Sequence, residues 1–190
     1  AVTQGRLAQA EGWAAAGLAE ARQRGDRQRA YGYAGWMAGI DHEVRPRPKR
    51  DLSAVEAVLR EFPPESLPPS DRPYIGLARL YASAGQPAQA RRYLTMARES
   101  DGRLWNPPIR VVRAAEGDVL ESEGNFQGAL ESFQEAARLP GANFCRDCVY
   151  FNVGRLFDRM DQPDSALAAY ERAVNAKGLG TNTARDLAPT

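Results

Sequence analysis

Hydrophobic positions along this chain recur at helical intervals, and the intervals themselves repeat. In one segment Tyr74, Ala78 and Tyr81 fall at i, i+4 and i+7, and Ala90, Leu94 and Ala97 repeat that spacing before Gly102. In a second, Arg113, Gly117 and Leu120 precede Ala129, Phe133, Ala136 and Gly141. In a third, Tyr150, Gly154 and Phe157 precede Ala166, Tyr170, Ala173 and Gly178. This spacing puts residues on one face of a helix, so each segment predicts two amphipathic helices. Arg113 alone breaks the residue type. A period of this length signals stacked helical units, each too small to bury its apolar face alone.

A turn signal separates the two helices of each segment: Gly85 before Gln86-Pro87, Gly124 before Asn125, and Asp161 before Gln162-Pro163. Glycine adopts the left-handed conformation that closes a helix without steric cost; aspartate does so less readily. Pro87 and Pro163 suit the first turn of the helix that follows, where the missing N–H has no partner to lose. The small residues at 78, 117 and 154 are expected to face Ala90, Ala129 and Ala166, letting the paired backbones approach.

The N-terminal third carries a weaker pattern. Leu7, Ala14, Leu18 and Ala21 predict one amphipathic helix over 2–24, ending before Gly25. Tyr31, Gly35 and Ala38 echo the first-helix pattern, and Val55, Leu59 and Phe62 share a face of another helix. The expectation is a degenerate pair over 28–64 capped by the first helix, so that 1–64 forms an N-terminal part. Prolines 63, 64, 68, 69 and 73 make 65–73 a connector that cannot be helical throughout. The three repeats then occupy 74–177, at about 71–104, 110–143 and 147–180, and 178–190 is a Gly-, Thr- and Asn-rich tail.

An aromatic, a small and an aromatic residue followed by Ala-x3-Phe-x2-Ala resembles the tetratricopeptide repeat (TPR). The resemblance implies an all-α fold, a right-handed helical solenoid of antiparallel helix pairs with about nine helices. Two features depart from the family. Ala90, Ala129 and Ala166 set unit spacings of 39 and 37 residues, against about 34 in the family. Gly102, Gly141 and Gly178 stand where the family closes a repeat with proline. The function implied is non-catalytic: a scaffold that binds a peptide or partner protein in a concave groove lined by the first helix of each pair. By the resemblance, Ile75 and Arg79 face that groove in the first unit, and Ala114, Ala115, Asp118 and Glu121 in the second. Cys148, Phe151, Asn152, Arg155 and Arg159 do so in the third. Asparagine can bond a peptide backbone, arginine can fork onto a carboxylate, and phenylalanine supplies desolvated contact area. Those helices contain no lysine, so the family's Lys/Asn clamp for a C-terminal carboxylate is not expected.

Charge and composition narrow the classes. Among 190 residues, 25 Lys and Arg balance 24 Asp and Glu, a net charge of +1 that lacks the basic excess of a dedicated nucleic-acid binder. No apolar run reaches the ~18 residues of a membrane span, so membrane insertion is not expected. Gln4, Arg6, Gln9 and Glu11 interrupt any export signal, and Ala1 in place of Met fits a processed chain or a fragment. The expected compartment is the cytoplasm, or the periplasm if a signal or anchor precedes Ala1.

Candidate chemistry is sparse. His42 is the single histidine, and no phosphate-binding or dinucleotide glycine motif occurs. The chain is therefore expected to be neither an enzyme nor a cofactor binder. Carboxylates such as Asp118, Glu121 and Asp158 have the spacing of a solvated helix surface. Cys145-x-x-Cys148 supplies two of the four ligands of a structural zinc site, which makes both cysteines weak metal candidates. Small apolar packing and a reversible disulfide are the alternatives. The same pair opening a late repeat resembles the TPR regions of larger bacterial kinases and transcriptional regulators. That likeness implies an alternative role as a regulatory or self-associating arm, with a homodimer as its consequence. Arg45-Pro46-Arg47-Pro48-Lys49-Arg50 reads as a solvated loop or a contact for an acidic partner.

Overall fold

The computed structural model describes residues 6–44, 51–99, 109–139 and 146–175, with side chains at all of these except 40–44 and 146–148. Among the described residues there are nine α-helices and no strand. They are α1 (Leu7–Gln23), α2 (Arg27–Val44), α3 (Ser53–Glu61), α4 (Tyr74–Ser83), α5 (Pro87–Glu99), α6 (Ile109–Ser122), α7 (Phe126–Arg138), α8 (Arg146–Arg159) and α9 (Pro163–Asn175). The chain divides into two compact units, 1–105 and 106–190. The all-α architecture of antiparallel helix pairs is as the sequence predicts.

Four of the connections share one hydrogen-bonded closure. Gly25, Gly85, Gly124 and Asp161 have φ of 64°, 69°, 81° and 57°. The N–H of the next residue (Asp26, Gln86, Asn125 or Gln162) donates to a carbonyl five positions back at 2.8, 2.9, 2.9 and 2.9 Å. The left-handed residue itself donates to the carbonyl three positions back. This double closure satisfies carbonyls that a helix end otherwise leaves open, and it reverses the chain. Asn125 adds an N-cap, its Oδ1 accepting from the Gly128 N–H at 3.0 Å.

In the first unit this closure joins α1 to α2, and α3 packs on α2. The first helix is thus half of a hairpin in its own right as well as a neighbour of the 28–64 segment. Arg22 of α1 also pairs with Glu61 of α3 at 2.7 Å. The connector forms two 3-10 turns, Pro64–Ser66 and Pro69–Asp71. Burial of Pro64 and Leu67 anchors it. Arg27 Nη1 donates to the Ser66 carbonyl at 2.8 Å and Arg72 Nε to the Leu67 carbonyl at 3.1 Å. The Tyr31 hydroxyl donates to the Phe62 carbonyl. Tyr74 and Tyr81 stack on Tyr93, with centroids at 6.3 and 5.4 Å, and knit α4 to α5.

In the second unit α6, α7, α8 and α9 share one core around Ala129, Phe133, Val153 and Leu156. Here two of the small residues lie under aromatic rings. A Cβ on Gly117 would lie 2.8 Å from Phe133 Cε1, and one on Gly154 would lie 2.5 Å from Tyr170 Cε1. Each glycine therefore receives an aromatic ring from the paired helix. Gly17 and Tyr33 repeat the arrangement in the α1–α2 hairpin. All three pairs are sixteen residues apart. Arg113 departs from the aromatic pattern because it is an ionic tie. Its guanidinium meets Glu116 at 2.8 Å and, from α6 across to α7, Glu135 at 3.1 Å.

Candidate interaction site

The second unit places one carboxylate where the sequence predicts solvent. Glu121, on the last turn of α6, has a side chain only 6% exposed, and two arginines of α8 close over it. Arg155 Nη2 donates to Oε2 at 2.7 Å and Arg159 Nη1 to Oε1 at 2.8 Å, one guanidinium on each oxygen. Arg155 and Arg159 lie one helical turn apart, so both reach the same side of α8. The Arg159 guanidinium also sits 4.5 Å from the centroid of the Phe126 ring. That face attracts a cation through the ring quadrupole. A buried carboxylate is tolerable only when paired and hydrogen-bonded, and this one is both. The arginines themselves remain 45% and 49% exposed, so each planar fork is held on one edge and open on another.

The neighbouring groups extend this surface. The Tyr170 hydroxyl of α9 donates to Asp158 Oδ2. Burial, then that hydrogen bond and the Asp158 charge, push its pKa up to about 12, against an opposing pull from Arg155. The Phe151 ring lies tilted against Tyr170, centroids 5.5 Å apart, and its own outer side is exposed.

The expected groove residues divide between the two units. In the first, Ile75 is a correction: it is only 7% exposed and belongs to the core, because α4 buries nearly its whole circumference. Arg79 is exposed on α4 and is not without an interaction partner. In the second unit Ala114 and Ala115 are buried. Asp118 and Asn152 are half-buried, and Phe151, Arg155 and Arg159 are exposed. Glu121 is corrected from a solvated carboxylate to a buried anchor. Cys145, the Cys148 and His42 side chains, the 45–50 basic run and the 178–190 tail lie outside the described residues. Among the described residues no group of three or more His, Cys, Asp or Glu side chains could hold a metal ion. Also among them, no helix is long and apolar enough to cross a membrane.

Residues 149–178, spanning most of α8 and all of α9, match the family model of the tetratricopeptide repeat. The chain contains a tetratricopeptide repeat. No curated protein matches the chain. The positions that define the matched TPR unit recur in α4–α5 and α6–α7 with the same turn closure, which makes the architecture a helical repeat. TPR units are in general non-catalytic modules of protein–protein interaction, and the repeat supports that class here.

Sequence reasoning missed the anchoring of Glu121. The relation is i to i+34 and i+38, which helical periodicity does not reveal. One signal was available. Glu121 and Asp158 are both acidic and sit 37 residues apart, at the same position of successive units.

Proposed function

We propose that the chain is a non-catalytic interaction module that binds a peptide or partner protein along the first helices of its second unit. Asn152, Arg155 and Arg159 would make the polar contacts. The observation that carries this reading is the half-exposed arginine pair fixed on buried Glu121. Guanidiniums already ordered by one carboxylate lose little side-chain entropy when they meet another. Their open N–H groups suit a carboxylate on the partner, and the Asn152 amide suits a peptide backbone. Phe151 and Asp118 belong to the same proposed surface by their repeat positions, and Arg79 is the proposed contact of the first unit.

The test is affinity capture from a lysate of the source organism, with the wild-type chain and an Asn152→Ala, Arg155→Lys variant. Lysine keeps a charge beside Glu121 while removing the fork, so circular dichroism should show the fold retained. A client enriched by the wild type and lost by the variant supports the reading. Equal enrichment by both removes these residues from the binding surface.

A further inference from the structure

We propose that α2 is a two-part helix whose C-terminal half, from Gly35 to Val44, unwinds and rewinds on its own while the N-terminal half stays fixed. The first unit thereby carries a conformational element that does not depend on the arginine pair of the preceding proposal.

The N-terminal half is tied down at several points. Asp26 caps it, with Oδ1 accepting from the Arg29 N–H at 3.1 Å. Arg27 Nη1 donates to the Ser66 carbonyl at 2.8 Å, and the Tyr31 hydroxyl donates to the Phe62 carbonyl. These bonds fasten the first turns of α2 to the connector and to the end of α3. Ala30, Tyr31 and Ala34 are buried, and the Tyr33 ring lies on Gly17 of α1.

After Ala34 the ties give way to glycine. Across 35–39 Ala38 is the buried residue, Met37 is half-buried and Trp36 is 44% exposed. A Cβ built on Gly35 or Gly39 would meet nothing within 4 Å. Glycine in a helix interior is disfavoured against alanine by about fivefold in the folding equilibrium. At Gly17, Gly117 and Gly154 an aromatic ring seated on the bare backbone offsets that cost. No ring is seated on Gly35 or Gly39, so the pair weakens this half by about 25-fold relative to alanine at both positions. One buried methyl group recovers little of it.

Segments with few buried contacts open first, without global unfolding. Here the boundary falls at Gly35, directly after the last anchored position. Gly35–Val44 covers about 15 Å as helix and roughly 33 Å when extended. Its flanking anchors are Ala34 on one side and Leu52, also buried, on the other. A stretch that lengthens between two fixed points lets a packed unit change its surface without giving up its core, and order–disorder exchange of this kind is a recurring basis for switching.

The test is amide hydrogen exchange of the full chain, read by mass spectrometry. Residues 35–44 are expected to exchange at least tenfold faster than 27–34 and than α8. A Gly35→Ala, Gly39→Ala chain is expected to slow exchange of 35–44 by about 25-fold and to leave α8 and α9 unchanged. Neither new methyl meets a neighbour, so the fold tolerates both. Gly32→Ala, equally open but in the fixed half, is expected to leave the 35–44 rate as it was. Equal protection of the two halves in the wild-type chain overturns the proposal. So does a Gly32→Ala effect as large as that of the double variant, because α2 would then open as a whole. A double variant in which 35–44 stays unprotected also overturns it, because the segment would then have no helix to regain.

Discussion

Gly117→Ala isolates the contact that lets α6 and α7 approach. In a helix interior the substitution should help, because alanine is favoured over glycine by about 1 kcal/mol. Here the new methyl would lie 2.8 Å from Phe133 Cε1 and 2.9 Å from both Cδ1 and Cε2. Carbon atoms rest at roughly 3.5–4.0 Å, so three ring atoms would be overlapped at once. The ring cannot swing away, because Phe133 is completely buried. Overpacking a close-packed core costs ~1–3 kcal/mol, and a simultaneous clash with three fixed atoms belongs in the upper part of that range. The net expectation is a loss of about 1–2 kcal/mol, read as a lower urea midpoint at unchanged slope. Phe133→Leu should relieve the clash, so the Gly117→Ala, Phe133→Leu cycle should show favourable coupling of about 1 kcal/mol. Gly32→Ala in α2, exposed and with nothing within 4 Å of the built Cβ, should instead be neutral or stabilising. A Gly117→Ala chain as stable as wild type, or an additive cycle, would refute the reasoning.

Asp161→Gly should stabilise by about 0.5 kcal/mol in urea titration, since relief of the left-handed Asp161 backbone outweighs glycine's greater unfolded-state freedom. Gly124→Ala, which introduces that strain, should destabilise by about 1 kcal/mol in the same assay. Glu121→Gln should cost about 1–2 kcal/mol. That is below the ~3–5 kcal/mol of a fully buried pair because water screens the half-exposed guanidiniums, and a change under about 0.5 kcal/mol would contradict the anchoring role. Alkaline stability follows from Tyr81 and Tyr170, whose pKa values are pushed up to about 12, chiefly by burial. An acid whose pKa is raised by folding stabilises the fold below its unfolded value near 10 and loses that contribution as pH climbs toward 12. Urea midpoints should therefore fall across that window, and tyrosinate absorbance should rise later in the folded chain than in the unfolded one.

Much of the fold was legible because its rules are local. Helical spacing located each helix face, and Gly85, Gly124 and Asp161 marked reversals that their positive φ angles show. The α1–α2 hairpin was harder to see, because Gly17 lies eight residues before its turn glycine while Gly117 lies seven before Gly124. That one-residue offset hides the pair from a fixed-interval search. The candidate site depends on contacts between hairpins, which no local rule carries. Ile75 looked like a surface position because its neighbours define the packing stripe, yet α4 is buried nearly all round and has no free side there. Glu121 looked solvated because carboxylates usually are, and only the return of α8 across α6 changes its surroundings.

The sixteen-residue reach from glycine to ring has a kinetic meaning. Closing so short a loop costs little chain entropy, and each additional doubling of length would add only about 0.6 kcal/mol. A hairpin can thus acquire its turn, its ring contact and its helix faces before any distant segment arrives, the low-contact-order regime in which folding is fast. Within each unit the hairpins then behave energetically as neighbours, where a lesion in one weakens the junction beside it and leaves the other to find its own structure.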